Sequence, residues 1–131
     1  MKDLLLEVVS YLIKEGFAEE DGVDIFRDFE PEQPADILII HEYAGDAQAL
    51  QGDLIHRSLQ VSVRSASPVT AKEKVYNIYH KLSPKDRFLK LTEDTWCQIY
   101  PRETPFRIKI DDSGRHYFGF NLGITTNKEV M

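Results

Sequence analysis

The stretch from Pro101 to Thr126, PRETPFRIKIDDSGRHYFGFNLGITT, constrains the fold more than any other part of the chain. Asp111-Asp112-Ser113-Gly114 carries turn chemistry: Asp and Ser side chains bond nearby backbone N–H groups, and glycine takes a positive φ at little cost. Beyond the turn, Phe118, Phe120, Leu122 and Ile124 fall on one side of an extended strand, and Tyr117, Gly119, Asn121 and Gly123 on the other. The pattern predicts two strands around a tight turn, the second facing a core. Its other face lacks large aliphatic groups, and its glycines leave backbone open to close approach by another chain. Nothing in the segment is catalytic.

Upstream, Leu5, Val8, Val9, Leu12 and Ile13 repeat at helical spacing, which predicts a helix over Lys2–Glu15 ended by Gly16. Val23–Phe29 reads as a strand closed by the prolines at 31 and 34, and Asp36–Tyr43 as a central strand. Ala44–Leu54 reads as a loop, long for its place, whose Leu50 and Leu54, with Ile55 just beyond, have no evident core position. Ser58–Ser65 alternates, with Leu59, Val61 and Val63 one way and Gln60, Ser62 and Arg64 the other. Ser67-Pro68 is a helix start, and Ala71, Val75, Ile78, Tyr79 and Leu82 line one face of a helix over Pro68–Leu82. Phe88–Leu91 and Thr95–Tyr100 read as strands before Pro101 and Pro105, and Asn127–Met131 as a polar tail. The expectation is one α+β domain over residues 1–131. It is a mixed, largely antiparallel sheet with two helices packed against it, in the order α-β-β-β-α-β-β.

At 131 residues a chain of this kind removes roughly 65–70% of its unfolded surface from water, enough for a core without staples. Cys97 is the single cysteine and alternates along a strand, which predicts a buried thiol in a reducing compartment. The opening Met-Lys-Asp leads into an amphipathic pattern interrupted by Glu7, unlike a signal peptide or a membrane span. The expectation is that the chain stays in the cytoplasm where it is made. The net charge of −6 argues against gripping nucleic acid by its phosphates, which needs a basic stripe. Lys81, Lys85, Arg87 and Lys90 are diluted by Asp86 and Glu93 and read as a solvated helix end and loop.

No reactive constellation emerges. His41, His56, His80 and His116 stand singly, without the close spacing of metal ligands, so neither a metal nor a cofactor is implied. Ser113 lacks a nucleophile-elbow context, and the strand glycines cradle no phosphate. Asp111 and Asp112, adjacent in a turn, read as solvating its tip rather than as an acid–base pair. Interaction is better supported. Arg102, Glu103, Phe106 and Arg107 flank Pro105 in what reads as a loop, and Phe and Arg are enriched at interfaces. The plain alternative is that Phe106 covers the edge of the core.

In most of its length and in the order of its motifs, the chain resembles the small minor-capsid and tail-terminator proteins of long-tailed bacteriophages and prophages. Four features carry the likeness: the opening helix MKDLLLEVVSYLIKEG, the EYAGD run at Glu42–Asp46, the strand-to-helix passage LQVSVRSASPVTAKEKVYNIYHKL, and the closing signature from Pro101 to Asn121. The resemblance implies an α+β structural virion protein, not an enzyme, that assembles as a hexameric ring in the tail, at the head–tail interface, after assembly in the host cytoplasm. Implied partners are further copies of itself, the major tail tube protein and the head–tail connector (stopper) protein, with DNA passing through the lumen unbound. A negative lumen would repel phosphate and ease that passage. Tyr43, Leu50, Leu54, Ile55, Arg102, Phe106 and Arg107 are the candidate contacts to neighbours or tube. The rivals are a small cytoplasmic binding or regulatory domain and a small-molecule hydrolase, which needs a pocket of converging polar groups.

Overall fold

The computed structural model describes residues 3–43 and 54–127. The loop expected over Ala44–Leu54, apart from Leu54 itself, and the tail beyond Asn127 lie outside them. Helix α1 spans Leu4–Lys14, where the Asp3 carboxylate accepts from the backbone N–H groups of Leu5 and Leu6 and caps the first turn. Gly16, at φ 87°, ends it in the left-handed region that glycine favours. Helix α2 spans Pro68–Lys81; Ser67 accepts from the Thr70 N–H and proline occupies the first turn, as the sequence predicts.

Among the described residues seven strands make one mixed sheet: β1 (Ile25–Arg27), β2 (Ile37–Tyr43), β3 (Leu54–Ser65), β4 (Phe88–Thr92), β5 (Thr95–Pro101), β6 (Phe106–Ile110) and β7 (His116–Asn127). The order α-β-β-β-α holds and four strands follow it. Across the sheet they run β1-β2-β3-β7-β5-β4, with β6 beside β7 as well. Of the strand pairs among the described residues, β1–β2 is parallel and the others are antiparallel. The spine is the β3–β7 pair, in register over all twelve residues from Leu54↔Asn127 to Ser65↔His116. Strands β5 and β6 follow one another along the other side of β7, divided at Arg102–Pro105.

One face of the sheet carries Leu38, Ile40, Leu59, Val61, Val63, Cys97, Ile99, Phe118, Phe120, Leu122 and Ile124, buried against Leu4, Val8, Leu12, Val75 and Ile78 of the helices. Helix α2 lies over β3 and β7, while α1 touches β1 and β2 near one margin and β4 at the other. The sheet therefore curls around α1. Polar ties reinforce this: Thr95 Oγ1 donates to Glu7 Oε1 at 2.9 Å, and Arg27 pairs with Asp3 at 3.3 Å.

Three expectations need correction. Leu54 is not a loop residue, and the strand expected from Ser58 begins earlier, with Leu54 and Ile55. They open β3, because pairing with Asn127 and Thr126 satisfies their backbones although His56-Arg57-Ser58 next to them is polar. Phe106 and Arg107 lie in β6 rather than in a loop, since Pro105 stands just before the strand and removes no ladder donor from it. The glycine face of β7 is not open to another chain. A Cβ at Gly119 would meet Val61 O at 2.6 Å and Ile108 Cδ1 at 2.8 Å, and one at Gly123 would meet His56 Cε1 at 2.6 Å and Tyr100 Cζ at 2.7 Å. The protein's own backbone and side chains fill that space.

Candidate functional site: the open face of the sheet

The face of the sheet turned away from the helices has three zones. At the end where β6 lies, Phe26, Ile37, Ile39 and Tyr117 form a small second core with Ile108 packed on it. The segment between β1 and β2 crosses there and is held by two arginines. Arg64 is 1% exposed. Its Nη2 donates to the carbonyls of Pro34 (2.6 Å) and Glu32 (3.4 Å), its Nε to that of Ala35 (3.1 Å), and its Nη1 to the Tyr117 hydroxyl (3.4 Å). A buried charge is tolerable only when bonded so fully. Arg115 donates to Asp111 Oδ2 at 2.8 Å and to the Glu32 carbonyl, and Tyr117 donates its hydroxyl to Glu30.

These bonds set the local titration. Burial pushes the Glu30 carboxyl up, but the Tyr117 hydroxyl, Lys109 and Arg64 outweigh it and hold it below its ordinary value. Asp111 is held low chiefly by the Arg115 backbone N–H, against a burial effect and with help from its guanidinium and the Ser113 N–H. In the surrounding cavity of about 240 Å³, Lys109 pairs with Glu30 and Arg115 with Asp111, and Arg64 is bonded to backbone carbonyls.

The middle zone is polar. His56 stacks on Tyr100 with centroids 5.5 Å apart and planes 12° apart, above Gly123. The Tyr100 hydroxyl sits 3.0 Å from both imidazole nitrogens, which marks a face-on contact rather than one directed hydrogen bond. Arg102 Nη2 reaches His56 Nε2 at 3.2 Å and donates to Ser58 Oγ at 2.8 Å. The backbone here is fastened to β7: Arg102 N–H donates to Asn121 O (2.8 Å), and Asn121 N–H donates to Glu103 Oε1 (2.6 Å).

The third zone, where β3 and β7 end beside β4 and β5, is apolar and uncovered. Trp96 is 62% exposed, Phe88 55% and Leu54 44%. They line a groove of about 220 Å³ with Gln98, Thr125 and Asn127. Large apolar side chains grouped at a surface mark contact sites more often than chance allows.

Of the sequence-derived contact residues, Tyr43 and Leu54 stand exposed on this open face at neighbouring strand ends. Ile55 points to the helix side and is half-buried. Phe106 is 39% exposed on β6, and Arg107 lies over the Phe118 ring at 5.4 Å. Arg102 is bound into the His56 cluster. Leu50 lies outside the described residues. Sequence reasoning missed Trp96 and Phe88, although strict alternation in TWCQIY sets Trp96 opposite the buried Cys97. Cys97 itself is buried, and burial pushes its thiol up to about 12. Among the described residues no three His, Cys, Asp or Glu side chains are placed to hold a metal ion, and no helix is long and apolar enough to cross a membrane.

What the open face offers is surface, fastened at one end by hydrogen bonds from the buried Arg64 and Arg115 and left apolar and uncovered at the other. The bacteriophage tail terminator protein family matches residues 11–128, nearly the whole chain. The chain belongs to that family, so it is a structural protein of the phage tail with a part in tail completion and in contacts with other phage tail and head proteins. No curated protein matches it. Among 22 matching solved chains, one is 13% identical, with a TM-score of 0.55 over 94% of this chain and 90% of its own, a likeness of fold alone.

Proposed function

We propose that the protein closes the finished tail tube as a ring of its own copies, a hexamer, whose other rim receives the head. One face of the ring meets the last layer of major tail tube protein and stops its growth. The opposite face meets the head–tail connector, or stopper, and DNA crosses the lumen without being gripped. The reading rests on membership of the tail terminator family. The observation that supports it best in this chain is the uncovered apolar zone of Leu54, Phe88 and Trp96. Such a surface suits a permanent contact, since burying it against a partner removes apolar area from water. The acidic balance suits a conduit for DNA. Electron microscopy of particles made without this protein tests the reading. Overlong tails, or tails unjoined to heads, are expected, and normal tails on infectious particles would overturn it.

A further inference from the structure

At the end of the sheet where β6 lies, one row of residues crosses five strands: Phe26↔Ile39, Ile39↔Ser62, Ser62↔Gly119 and Gly119↔Phe106. The two margins of this half-sheet are thus β1 and β6, four strand spacings or about 19 Å apart. Their characters are opposite. Strand β6 pairs only with β7, so its outer edge carries no strand among the described residues. Its exposed side chains include Phe106 (39%) and Ile110 (49%), flanking Arg107, which makes no ion pair among the described residues. At the other margin the turn before β1 lies against that strand, through the Asp21↔Ile25 bridge and a Gly22 N–H bond to Ile25 O at 2.8 Å. The Asp24 carboxylate accepts from the backbone N–H groups of Glu19 and Glu20 and fixes the turn. The carboxylates of Glu19 and Glu20 are spent on no ion pair among the described residues, both residues are exposed, and Val23 beside them is 51% exposed.

We infer that the β6 margin of one copy receives the Glu19–Val23 turn of the next, and that this contact joins neighbours in the ring; it rests on the ring reading above. A closed ring needs two different patches on opposite sides of each subunit, and here a cationic, apolar edge stands opposite an acidic turn with an apolar tip. The same features disfavour the rival pairing of β6 with β6. Arg107 and Lys109 would face like charges, and the irregular register between Arg107 and Lys109 breaks the flat edge that symmetric strand addition needs.

Light scattering on purified protein, with melting curves to confirm folding, tests the contact by charge exchange. Wild type is expected to form rings. Arg107→Glu alone and Glu19→Arg/Glu20→Arg alone should each weaken assembly at least tenfold, while an equal mixture should restore it, because alternating copies again set plus against minus. Arg107→Lys, which keeps the charge without the guanidinium that lies over Phe118, should still assemble. Wild-type rings together with unimpaired single variants, or with a mixture that stays dispersed, would overturn this contact and leave the ring reading standing. Wild type that remains monomeric both at high concentration and in particles would overturn the ring reading and this contact with it.

Discussion

On the helix-covered face of the sheet, Phe120, Leu59 and Val61 are buried among aliphatic and aromatic neighbours, whereas Arg64, on the open face of β3, is buried just as deeply by hydrogen bonds to backbone carbonyls. The strands are the same and the forces are not. On the covered face the hydrophobic effect and close packing act without direction, so the face depends on volume. On the open face the segment between β1 and β2 is held by directed bonds from Arg64, Arg115 and Tyr117, so it depends on the partner groups and on their charge. One face builds the subunit, and the other shapes the surface that it presents.

Truncation in the aliphatic core gives the widest separation. Phe120→Ala leaves a cavity at a fully buried site with the Tyr79 ring edge-on at 5.3 Å, and should cost about 3–5 kcal/mol in denaturant melts. A loss below about 1 kcal/mol would show that the covered face repacks freely. Arg64→Ala should cost about 2–3 kcal/mol, because it strips bonds from the carbonyls of Glu32, Pro34 and Ala35 and reopens part of them to water. Hydrogen exchange should quicken over residues 28–36 while α1 keeps its protection. Loosening of both alike would erase the distinction between the faces.

Acid should separate the faces as well. Glu30 and Asp111 have carboxyls held below their ordinary values in the folded protein. Their contribution is fully present above the unfolded carboxylate pKa and is lost as pH falls through the lower folded one. Stability should therefore fall as pH drops from about 5 to about 3. Removing the hydroxyl that bonds Glu30, by Tyr117→Phe, should flatten that dependence. An equally steep acid limb in Tyr117→Phe would assign the loss to other carboxylates.

The two glycines of β7 probe the open face more gently. An added methyl at Gly119 meets a backbone carbonyl of Val61, which cannot swing aside, and should cost about 1–3 kcal/mol as overpacking. At Gly123 the methyl meets the rings of His56 and Tyr100, which can tilt away, so Gly123→Ala should cost less. Equal costs would mean that the stacked rings are locked in place.

The covered face was legible in sequence because its rules are local. Period-two alternation placed Phe118, Phe120, Leu122 and Ile124, helical spacing placed Val8, Leu12, Val75 and Ile78, and Ser67-Pro68 marked a helix start. The open face was not, because its bonds join distant segments. Alternation puts Arg64 with Gln60 and Ser62, the pattern of a solvated side chain, and nothing near it in sequence reports the carbonyls of Glu32–Ala35 that bury it. The same holds for one pair on the helix side of the sheet: Glu42, part of the EYAGD run, is held by Arg57, whose Nε and Nη2 each donate to its carboxylate at 2.6 Å across the β2–β3 boundary. That pair too has no local signature. Gly119 and Gly123 read as leaving backbone open to another chain, yet the groups that approach them are the protein's own: the Val61 carbonyl and side chains from β3, β5 and β6.

The smallest effect on stability is expected at the most exposed of the open-face apolar residues. Trp96, on β5, stands opposite Lys90 of β4 and lines the groove with Phe88 and Leu54, while Cys97 next to it is buried. Replacing a side chain that remains 62% exposed removes little packing, so Trp96→Ser should stay within about 0.5 kcal/mol of wild type in denaturant melts. If this zone is where the subunit meets the tail, the same substitution should still yield overlong or headless tails in particles. A loss above about 1 kcal/mol would place Trp96 in the fold rather than at a contact. Normal tails from a stably folded Trp96→Ser protein would clear the groove of any part in assembly and leave the β6 margin as the surface to pursue.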